Sequence, residues 1–123
     1  MDAFAWIEYF EGSRFGKIVK KCLDESDEVL THSVTVSEVV SRITRKGFNG
    51  ILAYHAIHAR SRVVTTDSEF AKEVGLLHAE LRKKIERFGL ADAYILALAR
   101  QEQGKVLTGD SHFKGMKEVI FLE

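Results

Sequence analysis

The sequence has little or none of several features that define whole classes of protein. It contains one cysteine, Cys22, which excludes an internal disulfide and any zinc site built from several cysteines. Proline is absent, so glycines and polar clusters must end the helices and strands. No apolar run approaches the length of about 18 residues that a membrane span needs, and no signal peptide opens the chain. The formal net charge is zero, so a polyanion would have to be held by local patches or by a metal.

What the chain does contain is typical of one globular domain. Its 123 residues are 46% hydrophobic and 29% charged, which excludes a disordered chain and predicts a single domain over residues 1–123. A chain of this length buries roughly two thirds of its unfolded surface, enough for a real core. With one cysteine and no membrane segment, we expect a reduced, cytoplasmic protein.

Short apolar runs alternate with longer helical patterns along the chain. Runs rich in β-branched residues predict strands at Val29–Thr31, Val63–Thr66, Lys105–Thr108 and Val119–Leu122. Helical patterns are found at Phe4–Glu11, Phe15–Asp24, Ser37–Lys46, Ile51–Arg60, Ser68–Arg87 and Leu90–Gln103. Thr35 with Glu38, and Thr66 with Glu69, have the spacing of capping boxes. Strands separated by helices predict a parallel sheet in an α/β sandwich, with functional groups at the carboxyl ends of strands.

Aspartate is scarce, with six residues against twelve glutamates, and two of the six lie where a site is expected. Asp92 shares a helix face with Ile95, Leu96 and Ala99, so its carboxylate should point inward at the first turn of that helix. An acid that is favoured only by the helix dipole could lie anywhere on that first turn. The position of Asp92 on the apolar face of the helix therefore favours a functional role. Asp110 follows the carboxyl end of a strand, although a turn residue that caps the next segment would also fit there.

Two further acids are less distinctive on pattern alone. Glu38 falls on the polar side of its helix, where a capping box with Thr35 and a pair with Arg42 explain it without any chemistry. Asp2 precedes a helix that is apolar nearly all round, and it could simply cap that helix.

The remaining candidates are weaker. His55 and His58 have helical i, i+3 spacing, but no third metal ligand is evident, and His112 could contact a substrate two residues from Asp110. Two basic faces, Arg42–Lys46 and Arg82–Arg87, fit solvated surface better than a binding site when taken alone.

Taken together, the order and context of the acids resemble the PIN domain family, and its VapC-type toxins in particular. Asp2 followed by an aromatic helix resembles the first acid of that family, and Ser37-Glu38-Val39 resembles its helix-borne glutamate. The segments Ala91–Ala97 and Leu107–Phe113 resemble its two C-terminal acid motifs. Each motif is weak alone, but four in order, over essentially the whole chain, are fairly specific.

The resemblance implies a fold, an activity and partners. The fold is a three-layer α/β/α sandwich with a short central parallel sheet, and the activity is that of a divalent-metal-dependent endoribonuclease. Asp2, Glu38, Asp92 and Asp110 are carried over as the catalytic acids, and Thr108 matches a hydroxyl position beside the last of them. The resemblance also implies a homodimer that is inhibited by a small antitoxin protein.

Two departures from the family pattern matter. The first acid of the family ends an apolar strand, whereas only Met1 precedes Asp2, so the first strand is truncated here. Either that strand is lost or translation begins upstream of Met1; we expect the second, and an intact mass of the native protein equal to this sequence would contradict it. Phe4 occupies a place where the family has small or hydroxyl residues, which affects hydrogen bonds around the metal.

The expected chemistry follows from placing four carboxylates together. They repel one another unless a cation is bound, and Mg²⁺ or Mn²⁺ suits an oxygen-rich site. We expect Asp2, Asp92 and Asp110 to be metal ligands, directly or through water, and Glu38 to orient or deprotonate the attacking water. Thr108, Arg42 and Arg45 are the expected substrate-binding residues, the arginines because they can guide an RNA strand.

Two other readings compete with a nuclease. A PIN-like fold without catalysis could bind RNA or protein. An unrelated doubly wound receiver domain would need two adjacent acids after the first strand, and Asp2 stands alone.

Overall fold

The computed structural model describes all 123 residues and contains six α-helices, four short strands and one turn of 3-10 helix. In chain order these elements are α1 (Ala3–Glu11), α2 (Arg14–Glu25), β1 (Leu30–His32), α3 (Ser33–Arg45), α4 (Gly50–Arg60), β2 (Arg62–Val64), α5 (Ser68–Arg82), α6 (Leu90–Gln101), β3 (Val106–Thr108), the 3-10 turn (Ser111–Phe113) and β4 (Val119–Phe121). None of the helices has both the length and the apolar character that a bilayer crossing needs.

The strands form two parallel pairs rather than one continuous sheet. β1 pairs with β2, and β3 pairs with β4, each over three residues. The amino group of Met1 donates to the carbonyl of Leu30 in β1 at 2.8 Å, and the N–H of Asp2 points to the carbonyl of Leu107 in β3 at 3.5 Å. Met1 and Asp2 therefore lie between the two pairs, and a largely apolar cavity of about 450 Å³ separates β1 from β3. The parallel α/β architecture is confirmed, with the sheet interrupted where the sequence predicts a shortened first strand.

Two apolar clusters hold these elements in place. The larger one surrounds α1, where Ala5 and Trp6 are fully buried, and it includes Val39 of α3 and Ile57 of α4. The smaller one lies under α6 and includes the fully buried Phe88 and Phe113. The buried indole of Trp6 donates to the Thr31 hydroxyl at 3.1 Å, which ties α1 to β1.

The capping residues of two helices differ from the predictions, although α5 starts at Ser68 as predicted. α3 begins four residues earlier than predicted because the imidazole Nδ1 of His32 accepts from the N–H of Val34 at 3.0 Å and caps it. Thr35 is therefore buried inside the helix, and the predicted capping box with Glu38 is wrong. α5 is likewise capped by Asp67 instead of Thr66.

One helix end also differs. α5 ends at Arg82 instead of Arg87, and Arg87 itself has a left-handed backbone with φ of 63°. The basic run that follows Arg82 thus lies in a turn and does not form a helix face.

Candidate active site

Asp2 caps α1 and is almost completely buried, with 3% of its surface exposed. One carboxylate oxygen accepts from the N–H of Ala5 at 2.9 Å, and the other accepts from the hydroxyl of Thr108. Burial raises the pKa of Asp2 to about 6, although both hydrogen bonds favour the charged form. The predicted helix cap is confirmed, and the same carboxylate also joins the start of the chain to the end of β3.

Thr108 connects two of the acids. Its hydroxyl donates to Asp2 and accepts from the N–H of Asp110 at 2.9 Å, and the residue is fully buried. These bonds indicate a positioning role for Thr108, and the expectation that it binds substrate stays a prediction. With its hydroxyl already used by the protein, Thr108 positions Asp2 and Asp110.

Asp110 caps the 3-10 turn that follows β3. Its carboxylate accepts from the N–H of His112 at 2.9 Å, which confirms the predicted cap. Because the chain turns here, the side chain of His112 returns toward Asp110, and the imidazole Nδ1 lies 3.5 Å from Asp110 Oδ1.

Asp92 lies in the first turn of α6, half-buried and facing inward as predicted. Its Oδ2 atom accepts from the N–H of Gly89 at 3.1 Å and lies 3.4 Å from His112 Nδ1. Burial raises the pKa of Asp92, and the negative charge of Asp110 raises it further. The negative charge of Asp110 therefore acts on Asp92, and the imidazole Nδ1 of His112 lies within 3.5 Å of both carboxylates.

Glu38 is on α3, exposed at the rim of the same region. Burial of its carboxyl group, although the residue as a whole is exposed, raises its pKa to about 7, and the charges of Asp92, Asp2 and Asp110 add to this. The predicted ion pair with Arg42 does not form, since no cation lies within ion-pair distance of Glu38. The polar side of α3 thus faces the other acids as well as solvent.

The site has the ligand chemistry of a divalent cation site. One ligand atom from each of Asp92, Asp110 and His112 lies within 4.8 Å of the others. Asp2 is outside that group of three but interacts electrostatically with Asp92. Two carboxylates and an imidazole are ligands that divalent metals accept, so the residues present fit such an ion.

Other candidate residues lie away from this cluster. Arg42 and Arg45 are exposed in the last turns of α3, and neither forms an ion pair. His55 and His58 are exposed on α4, and no metal-binding group includes them. The sequence indicates only weakly that His112 is part of the site. Its spacing from Asp110 does not reveal the turn that places its ring beside Asp92 and Asp110.

The comparisons with known proteins agree with this arrangement. The family model described as "PIN domain" matches residues 1–119. The solved structure of a "Toxin-antitoxin complex from Klebsiella pneumoniae" is similar with a TM-score of 0.77 at 19% identity, over 99% of this chain and 95% of that one. No curated protein matches the sequence.

The chain therefore belongs to the PIN domain family. PIN domains are generally nucleases and typically use a divalent metal. The resemblance and the fold class expected from the sequence are confirmed.

Proposed function

We propose that this chain is a metal-dependent endoribonuclease that hydrolyses RNA phosphodiester bonds, acting as the toxin of a toxin–antitoxin pair. The observation that carries the proposal is the convergence of Asp2, Glu38, Asp92 and Asp110, which come from separate parts of the chain, at one end of the strands. Burial raises the pKa values of Asp2, Glu38 and Asp92, and the negative charges of neighbouring acids in the group raise them further.

The metal would be held by Asp92 and Asp110, with Asp2 contributing directly or through water. When bound, Mg²⁺ or Mn²⁺ supplies charge neutralisation at a phosphate oxygen and lowers the pKa of a coordinated water. Thr108 supports that arrangement, because its hydroxyl and the backbone around it fix Asp2 and Asp110 relative to each other.

Glu38 is suited to take a proton from the attacking water. A general base works best when its pKa is near the working pH, and the pKa of Glu38 is raised to about 7. The water oxygen attacks phosphorus while its proton passes to the Glu38 carboxylate. The bond from phosphorus to O3′ breaks, O3′ takes up a proton from solvent, and the products carry a 5′-phosphate and a 3′-hydroxyl. This route needs no 2′-hydroxyl, so a preference for RNA must come from contacts elsewhere.

The partners follow from the same assignment. The similar structure from Klebsiella pneumoniae is a toxin–antitoxin complex, which supports an antitoxin partner for this chain. Phe48, Ile51 and Leu52 at the corner between α3 and α4 expose 66–71% of their surface, which supports a protein partner. A homodimer and a cytoplasmic site of action stay predictions, the first to be checked by sedimentation.

The first test is cleavage of a mixed RNA pool by the wild type and Asp92→Asn, purified in parallel, in Mg²⁺ or Mn²⁺. The activity of Asp92→Asn should be lower than that of the wild type by roughly tenfold to a hundredfold or more. Removing a group that only supports a metal ligand already has an effect of about that size. Asp27→Asn, which changes an exposed aspartate, is the matched control and should cleave like the wild type.

The outcome of this experiment distinguishes a metal nuclease from a contaminating activity and from a binding module without catalysis. Chelator-sensitive cleavage that Asp92→Asn lacks would support a metal nuclease with Asp92 in its site. Equal cleavage by all three proteins would identify a contaminant. No cleavage by any of them would favour a PIN-like module that binds RNA or protein without hydrolysing it.

A further inference from the structure

His112 is the one group in the acidic cluster that is not an acid. Its Nδ1 atom lies 3.4 Å from Asp92 Oδ2 and 3.5 Å from Asp110 Oδ1, so it faces both carboxylates about equally. Neighbouring ligands of one cation lie about 3 to 4 Å apart when each metal–ligand bond is about 2.1 Å long. The two distances from Nδ1 thus match the spacing of ligands that share an ion, and one ligand atom from each of the three residues lies within 4.8 Å of the others.

The protein also holds the imidazole in this position. The backbone N–H of His112 donates to Asp110 at 2.9 Å, and the ring packs beside the buried Phe88 at 6.2 Å between centroids. These contacts occupy the backbone and one side of the ring, while Nδ1 stays directed at the two carboxylates. A single N–H could satisfy only one carboxylate, whereas a shared cation would satisfy both.

Asp2, the alternative third ligand, is committed elsewhere. Its two carboxylate oxygens already accept from Ala5 and Thr108, and the residue is buried. Asp2 can still reach the ion through a remaining lone pair or through water, but these two hydrogen bonds fix where its carboxylate lies. His112, in contrast, has 28% of its side chain exposed and a nitrogen already facing the site.

We propose that His112 is a third protein ligand of the divalent cation, through Nδ1, and that it makes the site select Mn²⁺ over Mg²⁺. Imidazole nitrogen is a good ligand for transition metals, whereas Mg²⁺ keeps oxygen ligands and water. The inference rests on the metal-dependent function proposed above and names the residue that chooses the metal.

The test measures binding instead of activity. Mn²⁺ and Mg²⁺ are titrated separately by calorimetry into the full chain, as wild type, His112→Ala and His58→Ala. His112→Ala should weaken Mn²⁺ binding by on the order of tenfold and Mg²⁺ binding far less, since an imidazole ligand is lost. His58→Ala removes an exposed histidine on α4 and should change neither affinity.

A second measurement needs no folded variant. In the Mn²⁺-loaded wild type, electron spin echo spectroscopy should show coupling to a directly bound ¹⁴N nucleus, which a merely structural histidine would not give. That coupling should persist in His58→Ala and be lost in His112→Ala.

The results distinguish this inference from the proposed function. Mn²⁺ bound without nitrogen coupling, or an unchanged ratio of affinities in His112→Ala, would overturn the role of His112 and leave the metal nuclease standing. Failure of the wild type to bind either ion would overturn both.

Discussion

Glu38 shows how much a side chain depends on what its helix packs against. Its pKa is raised to about 7 because its carboxyl group is partly buried and faces the charges of Asp92, Asp2 and Asp110. In a metal-free protein this carboxylate is a source of instability, since ionising it places one more negative charge beside three others. A bound cation would offset the part of that effect that comes from the neighbouring charges, whereas the larger part, due to burial, would stay.

The pH dependence of metal-free stability tests this account. A carboxyl whose pKa is higher in the folded than in the unfolded state stabilises the fold at low pH, and that stability is lost as pH rises from about 4.5 toward 7. We therefore expect Glu38→Gln to melt at a higher temperature than the wild type at pH 8 in EDTA, with the gap closing toward pH 5.

Comparing two proteins isolates Glu38 from other titrating groups. Burial lowers the pKa of His32, so that residue costs stability in acid, but it does so equally in both proteins. A gap that stays constant from pH 8 to pH 5 would contradict the assigned pKa. Saturating Mn²⁺ should shrink the gap at pH 8.

At this scale the sequence predicts the acids but not all of their surroundings. Asp92 and Asp110 could be found because one lies on an apolar helix face and the other follows a strand. Glu38 could not be judged from periodicity, because a polar helix face need not face solvent. The ring of His112 depends on a tight turn and on Phe88, neither of which leaves a periodic signal.

Among the elements, the contact of α1 with the loop after β3 leaves no room for a side chain at residue 109. The side chain of Phe4 lies against Gly109, where an added Cβ would stand 2.7 Å from the Cζ atom of Phe4. Phe4 also packs on Phe15 of α2, with ring centroids 6.2 Å apart. The aromatic residue that departs from the family pattern is thus accommodated by a glycine between Thr108 and Asp110.

Gly109→Ala tests that packing. Overpacking of this kind costs about 1–3 kcal/mol, so we expect the free energy of unfolding in urea to fall by that amount. Gly104→Ala is the matched control, because an added Cβ there meets nothing within 4 Å, and it should change stability by no more than about 0.5 kcal/mol.

A double variant identifies the clash as the cause. Phe4→Leu removes the ring atoms nearest to Gly109, so adding it to Gly109→Ala should restore part of the loss. Strictly additive effects in the double-mutant cycle would show that Phe4 and Gly109 do not interact.

The order of helices and strands could be predicted because the helices have recognisable apolar patterns, as at Leu90–Gln101. The exact residue at which a helix begins or ends depends on a single capping residue. The start of α3 could not be predicted because histidine is not a typical capping residue. The side chain of His32 is held in the capping position because it is buried and its Nε2 atom is hydrogen-bonded to the Thr66 hydroxyl at 2.9 Å. The break in the sheet between β1 and β3 was harder to predict from the sequence, because pairing between distant strands leaves no local pattern.

For the whole molecule, zero net charge means that attraction to RNA must come from particular cations. Arg42 and Arg45 follow Glu38 at i+4 and i+7, so all three share one face of α3. Neither arginine has an acidic partner, whereas the neighbouring Lys46 is paired with Glu11. The two arginines are therefore free to contact phosphates about 6 and 10 Å from Glu38 along the helix axis.

Salt dependence measures that contribution. Each cation that neutralises a phosphate of single-stranded nucleic acid adds about 0.7 to the slope of log K against log salt, so removing both arginines should flatten the slope by roughly 1.4. The variant is Arg42→Ala with Arg45→Ala, and binding to a labelled RNA is followed by anisotropy.

The control removes two cations that already have a partner. Lys20 and Arg60 both pair with Asp24, so Lys20→Ala with Arg60→Ala should leave the slope near its wild-type value. If the two double variants flatten the slope equally, α3 is not the path of the strand.

The bond between Asp2 and Thr108 joins residues 106 positions apart, so the site cannot form before the chain has been made as far as Thr108. A ribosome adding about 5–20 residues per second takes roughly 6 to 25 seconds over 123 residues, and Asp92, Asp110 and His112 emerge last. Until then the growing polypeptide carries only Asp2 and Glu38 of the cluster, and these two acids cannot form it alone. If the chain is the nuclease proposed above, it would gain its cluster only once these last residues have been made, and a neutralising partner already folded nearby could bind it at once.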